Sequence, residues 1–190
     1  MQTGTQVEFR TLLSKEEYTR LIGMFLENNR FDLQTNHYFD TSRFTLKATD
    51  ASLRVRERDN LEFTLKRKKG YNIQDFRQII TREEFEECKA TGILPEGQIK
   101  QELDSIIGKQ KLENFMSLST KRLFFTYGNG VIFLDESTYL GITDYELEYE
   151  AKTLHEGKKE FIQLLGDLQI KYKKTDKKIK RAYDALKQMY

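Results

Sequence analysis

The sequence predicts an α+β protein built from seven or eight antiparallel strands and four or five helices. Three observations predict it. Several short stretches alternate apolar and charged residues with the two-residue period of a strand. Ser14-Lys15-Glu16-Glu17 and Thr81-Arg82-Glu83-Glu84 are capping boxes, each opening a stretch of helical spacing. Gly128-Asn129-Gly130 lies between two strand-like runs and is a strong hairpin turn.

In chain order, Gln6-Val7-Glu8-Phe9-Arg10 alternates and is read as the first strand. After Ser14, the residues Tyr18, Leu21, Ile22, Phe25 and Leu26 form one helical face, ending near Asn28-Asn29. Asn36 to Thr41 reads as a strand, and Phe44 to Asp50 is too mixed to assign. Leu53 to Arg58 and Leu61 to Lys68 are the arms of a hairpin turned at Asp59-Asn60. Gly70 to Gln78 is loop or weak strand. The helix after Thr81 stops at Gly92 and Pro95, and Ile99, Leu103, Ile106 and Ile107 mark another. Met116 to Tyr127 and Val131 to Asp135 flank the glycine turn, with Asp135 ending the second arm. An acidic strand follows Gly141, then a helix capped by Thr153, then a basic helix over Lys171 to Tyr190. The 190 residues are read as one domain, 1–190, with a helical insert over about 81–113 and C-terminal helices over about 153–190.

Composition narrows the function classes. The net charge is only +2, from 32 basic and 30 acidic residues, so no general polyanion-binding surface is implied. The chain is 33% charged and 38% hydrophobic, but 13 Phe and 10 Tyr can build a core. A single cysteine, Cys88, allows no internal disulfide, and with two histidines it argues against structural zinc or a histidine-activated nucleophile. His37 and His155 read as structural or surface residues. No run has the length or apolarity of a signal core or membrane span, and the cytoplasm is the expected compartment.

The charge is sorted by strand. In Tyr145-Glu146-Leu147-Glu148-Tyr149-Glu150 the three glutamates share one face, roughly 6.5–7 Å apart. Such a row is tolerable if it faces water, facing bases or a cation. Arg54, Arg56 and Arg58 form a basic row, and Thr64, Lys66 and Lys68 share a face of the next strand. An open sheet would turn these faces to water. A closed barrel could turn them inward, around a polyanion carried with a divalent metal. Composition leaves both arrangements open.

The ordered set of motifs resembles the CYTH, or triphosphate tunnel metalloenzyme, superfamily. The matching stretches are Gln6-Val7-Glu8-Phe9-Arg10 (against a Glu-x-Glu-x-Lys signature), Tyr38-Phe39-Asp40-Thr41, Leu53-Arg54-Val55-Arg56 and Thr64-Leu65-Lys66. They continue with Arg122, Leu134-Asp135, Glu146-Leu147-Glu148 and Lys178-Ile179-Lys180-Arg181-Ala182. Each motif is weak alone; the order, over nearly the whole chain, is specific. The set is most similar to a small bacterial, Firmicutes-type branch of triphosphatases.

The resemblance implies an eight-stranded antiparallel β-barrel forming a tunnel with flanking helices, and hydrolysis of a triphosphate with Mg²⁺ or Mn²⁺. It implies Glu8, Glu146 and Glu148 as catalytic metal ligands, with Asp135 and Glu150 joining the metal set. It implies Arg10, Arg54, Arg56, Lys66, Arg122, Lys178 and Arg181 as grips for phosphate oxygens, with Lys68 secondary. Arg offers a planar fork for two oxygens and Lys a mobile point charge. Two residues depart from the signature: Gln6 stands where the first Glu would be, and Arg10 where Lys would be. The expected partner is a small molecule carrying a triphosphate, with inorganic triphosphate as the default. A non-catalytic polyphosphate or nucleotide sensor is the alternative, and class IV adenylate cyclase activity a weaker one. Nucleic-acid binding is not expected, since no aromatic-interleaved basic platform is present. The sequence says nothing of oligomeric state.

Overall fold

The computed structural model describes residues 7–70 and 72–189. Gln6, the departure from the signature, lies outside them. In chain order the elements are β1 (Val7–Leu13), α1 (Lys15–Phe25), a 3₁₀ turn (Leu26–Asn28), β2 (Asp32–Thr41), α2 (Thr45–Ala48), β3 (Ala51–Glu57), β4 (Leu61–Lys69) and β5 (Asn72–Ile80). They continue with α3 (Arg82–Thr91), α4 (Gln98–Ile107), β6 (Leu112–Tyr127), β7 (Gly130–Tyr139), β8 (Ile142–Ala151), α5 (Leu154–Asp167) and α6 (Lys178–Gln188). The eight strands form a sheet in the order β1-β8-β7-β6-β2-β3-β4-β5. The pairings β1–β8, β7–β8, β2–β3, β3–β4 and β4–β5 are antiparallel, so the α+β class is borne out. Among the described residues no helix is long and apolar enough to cross a membrane.

The chain divides into two compact units, Gln34–Ser119 and Met1–Leu33 with Thr120–Tyr190. Each has its own core. In the first, Phe39, Leu53, Val55, Phe63 and Leu65 on the strands bury against Phe85 of α3 and Ile99 and Leu103 of α4. Here the alternation legible in the sequence places the apolar face under the helical insert. The α3 helix carries the predicted capping box at Thr81 and ends at Gly92, whose φ of 72° is left-handed. A Cβ on Gly92 would lie 2.4 Å from the Leu112 carbonyl oxygen, so only glycine fits.

In the second unit, Leu147 and Tyr149 of β8 are fully buried among Tyr18 and Leu21 of α1 and Phe161, Leu164 and Leu165 of α5. The Ser14 capping box forms as predicted. The hairpin between β6 and β7 needs Gly130 because Tyr149 passes beneath it. A Cβ there would come within 2.6 Å of the Tyr149 phenol and 2.4 Å of the Glu150 carbonyl oxygen.

Several boundaries differ from expectation: β2 starts at Asp32 rather than Asn36, β6 starts at Leu112 rather than Met116, and four further differences have an evident cause. The stretch left unassigned contains the short helix α2, because a buried carboxylate organises it. Asp40 accepts hydrogen bonds from the backbone N–H groups of Thr41 (2.7 Å), Leu46 (2.9 Å) and Lys47 (3.0 Å). The weak strand near Gly70 is a full strand, β5, because it pairs residue for residue with β4. The β7 strand does not end at Asp135 but continues to Tyr139, paired with Ile142 of β8. The basic C-terminal helix starts at Lys178; residues 171–177 are irregular.

Replacing Asp40 by Ala would strand three amide donors in a buried place. The expected loss is about 2–3 kcal/mol of stability, measured by urea unfolding. A loss below about 0.5 kcal/mol would contradict this role.

Candidate active site

The site is carried by the face of β8 turned away from its hydrophobic core and by the elements beside it. Because Leu147 and Tyr149 occupy the core, Glu146, Glu148 and Glu150 project from the opposite face. That face is not a solvated surface. Glu146 is 1% exposed and the Glu148 side chain 12%. Antiparallel register sets Asp135 of β7 directly opposite Glu146, and Arg10 of β1 opposite Glu148. Asp135 is fully buried.

Three cations neutralise these acids. Arg122 of β6 grips Asp135 with two parallel hydrogen bonds, Nε to Oδ1 at 2.7 Å and Nη2 to Oδ2 at 2.6 Å. Its guanidinium also lies over the Phe133 ring, 4.3 Å from the centroid. Lys178, the first residue of α6, places its ammonium among three carboxylates. It is 2.8 Å from Asp135 Oδ2, 3.1 Å from Glu148 Oε2, and in close contact with Glu146 Oε1. Arg181, one turn further along α6, grips Asp144 at 2.9 and 3.0 Å and Glu146 at 2.6 Å. Four carboxylates thus meet these three cations, and Arg10 lies 3.9 Å from Glu148 Oε1 as a fourth.

Asp144 lies outside the set of residues expected from the sequence. The signal was present: it extends the alternating row Glu146, Glu148, Glu150 by one step on the same face of β8.

The carboxylates respond to this pairing. Burial opposes the charge on Asp135, yet Arg122 and Lys178 hold its carboxyl below the usual range. Glu148 behaves alike, with Lys178 and Arg122 outweighing burial. Glu150 is pushed the other way, by burial and then by the charges of Glu8 and Glu148. Glu8 stands opposite Glu150 and pairs closely with Arg10. Its side chain is 40% exposed, so it stands apart from the buried trio.

Asp135, Glu146 and Glu148 each present a ligand oxygen within 4.8 Å of the others. Opposite ligands of an octahedral Mg²⁺ lie about 4.2 Å apart, so small side-chain movements would let the trio close on such an ion. Three hard carboxylate oxygens suit Mg²⁺ or Mn²⁺. The donor set therefore fits a divalent metal.

The remaining predicted residues lie in the other unit, on β3 and β4. Arg54 and Arg56 are half-buried neighbours on one face, and Arg54 Nε is buried with no hydrogen-bond partner. Burial, then the charge of Arg54, lowers the Arg56 guanidinium below its ordinary value, although Glu62 faces it across the strand pair. Arg56 Nε reaches Asn36 at a long 3.4 Å. Lys66 is half-exposed and 3.6 Å from Asp75, and Lys68 is exposed. His37 is structural, between Ser117 and Glu57.

Residues 4–183 match the CYTH domain family. The chain belongs to the CYTH domain family. Over 188 residues it is 35% identical to the Bacillus subtilis protein named "Putative triphosphatase YjbK", covering 97% of both chains. Among solved structures it is similar to a "putative adenylate cyclase" from Bacillus halodurans, at 34% identity and TM-score 0.74 over 93% of this chain and 96% of that one. It shares its fold with the Hippeastrum protein HpAC1, a "putative adenylyl cyclase" described as having a dominant triphosphatase activity. That match has TM-score 0.76 and 20% identity over 95% of each chain. As a CYTH protein the chain has the α+β fold its motifs predicted.

The paired carboxylates give an acid-side test. Asp135 and Glu148 are held low in the folded chain, so the unfolded chain takes up protons first as pH falls. Their stabilisation is complete above about pH 4 and is lost below it. Arg122→Met removes a cation from both groups and shrinks that depression, so the variant should be destabilised most above about pH 4 and lose less stability than wild type on acidification, the two curves converging. Thermal melts across the acid range check this; a variant curve parallel to wild type would contradict it.

Proposed function

We propose that this CYTH protein hydrolyses a triphosphate, with inorganic triphosphate as the default substrate and Mg²⁺ or Mn²⁺ as cofactor. One observation carries the reading: Asp135, Glu146 and Glu148 converge from β7 and β8 on one buried point. Such a cluster has little structural use that an apolar packing would not serve as well. The family, and the name of the Bacillus subtilis relative, point the same way. The proposed setting is the cytoplasm, supported by a single cysteine.

In this reading Asp135, Glu146 and Glu148 hold the metal, with Glu8 and Glu150 as outer contributors. A divalent ion bound there would supply charge to the phosphoryl group and lower the pKa of a water. The chain's own bases position the polyanion. Arg10 spends its Nη2 on Glu8 and has a buried Nε with no hydrogen-bond partner, as does Arg54. Each unpartnered donor suits a phosphate oxygen. Arg56, beside the like charge of Arg54, would be relieved by an anion. Lys66 adds a mobile charge, and Arg122 and Arg181 hold Asp135, Asp144 and Glu146 in place. The reaction breaks one phosphoanhydride P–O bond and adds water, giving orthophosphate and pyrophosphate from inorganic triphosphate. No covalent enzyme intermediate is needed, and catalysis is positioning and electrostatics.

Gln6 favours a second reading, a non-catalytic sensor, because it removes one carboxylate from the signature. Cyclisation of ATP is weaker: the solved relative from Bacillus halodurans bears a cyclase name, but no adenine-recognising group is identified among the described residues.

The test is product analysis with inorganic triphosphate, thiamine triphosphate and ATP, each with Mg²⁺, Mn²⁺ or chelator. Metal-dependent phosphate release, reduced about 100-fold or more in Glu148→Ala, supports hydrolysis. Arg56→Ala should raise KM by about 10- to 100-fold with a smaller effect on kcat. Gln6→Glu should raise the rate if the missing charge limits it. Cyclic AMP from ATP would favour the cyclase, and binding without turnover the sensor.

A further inference from the structure

The resemblance assigns Lys178 to phosphate, but its ammonium stands elsewhere. It sits between Asp135, Glu146 and Glu148, the three residues whose oxygens converge within 4.8 Å. Two cations cannot share that point. We propose that Lys178 is a built-in occupant of the metal position, displaced when a divalent ion binds; this rests on the metal-site reading above.

Among the three cations that touch Asp135 or Glu146, Lys178 is the one built to leave. Arg122 is fixed by its two-pronged grip on Asp135 and by the Phe133 ring. Arg181 is fixed by its fork on Asp144, its bond to Glu146 and a 2.7 Å bond to the Asp176 carbonyl. Lys178 is a single point charge on a flexible four-carbon stem. It begins α6 directly after the irregular stretch 171–177, and the preceding residue, Lys177, makes no side-chain capping bond. Its withdrawal therefore need not disturb the strands. Charge balance favours the exchange. Arg10 also pairs with Glu148, at 3.9 Å, and with Glu8; with that pair counted, Asp135, Asp144, Glu146, Glu148 and Glu8 outnumber Arg122, Lys178, Arg181 and Arg10 by one, and replacing a monocation by a dication removes that excess.

The displaced ammonium becomes a mobile cation beside a loaded metal, placed to meet a phosphate oxygen. Both assignments of Lys178 are then correct in sequence: it guards the carboxylates before metal binds and faces the polyanion afterwards. Metal binding would thereby ready the site for triphosphate.

Two measurements, both without phosphate, test the displacement. By calorimetry, Lys178→Met should bind Mn²⁺ about 10- to 100-fold more tightly than wild type, the size of one charge-assisted hydrogen bond. In wild type, acetic anhydride should label Lys178 faster when Mn²⁺ is added, read by mass spectrometry against the other lysines. Equal or weaker Mn²⁺ affinity in a folded Lys178→Met protein overturns the displacement while leaving the metal site standing. Absence of Mn²⁺ binding in both proteins overturns the metal site and the displacement together. If the variant does not fold, the wild-type labelling decides alone. Faster labelling supports displacement, and unchanged or slower labelling overturns it.

Discussion

A buried carboxylate must be paired, and the unit that carries β8 is arranged around that requirement. Asp135 is fully buried and Glu146 almost so, and neither could stay charged there alone. Arg122 from β6 and Lys178 and Arg181 from α6 supply the compensation. Removing one partner of such a pair typically costs about 3–5 kcal/mol, whereas an apolar replacement of the whole cluster is often neutral or better. The cluster is thus poorly explained as a stabilising device. It is better explained as a set of ligands kept charged and close together, with the attached cations as the means of keeping them so.

The two faces of β8 make this arrangement affordable. Leu147 and Tyr149 lock one face into the core under α1 and α5, which fixes the register against β1 and β7. A slip of one residue would bury the glutamates in that core and expose the tyrosines, so the register is held strongly. Once it is fixed, the acids of β7 and β8 and the base on β1 fall opposite one another without further design. The C-terminal helix then needs only two side chains, one turn apart, to complete the charge balance. On β3 the same logic is inverted: Leu53 and Val55 are buried, and Arg54 and Arg56 share the other face with less compensation.

Much of this was legible in the residues. The alternation in β8, the two capping boxes and the glycine hairpin are local signals, and local signals survive without tertiary knowledge. What escaped depended on partners distant in sequence. The α2 helix is set by Asp40, whose role as an acceptor for Leu46 and Lys47 cannot be read from a mixed stretch. Strand β5 owes its regularity to β4. The start of α6 at Lys178 places a lysine, predicted for phosphate, on carboxylates 30 or more residues away. Asp144 continues the acidic row of β8 one step before Glu146, and its role depends on Arg181, 37 residues away.

The central claim is that the converging carboxylates bind a divalent metal. Electron paramagnetic resonance of aqueous Mn²⁺ tests it most directly. If the carboxylates bind the ion, wild-type protein diminishes the free-ion signal and Asp135→Asn combined with Glu146→Gln restores it. A signal untouched by wild type, or diminished equally by the double variant, would contradict the claim.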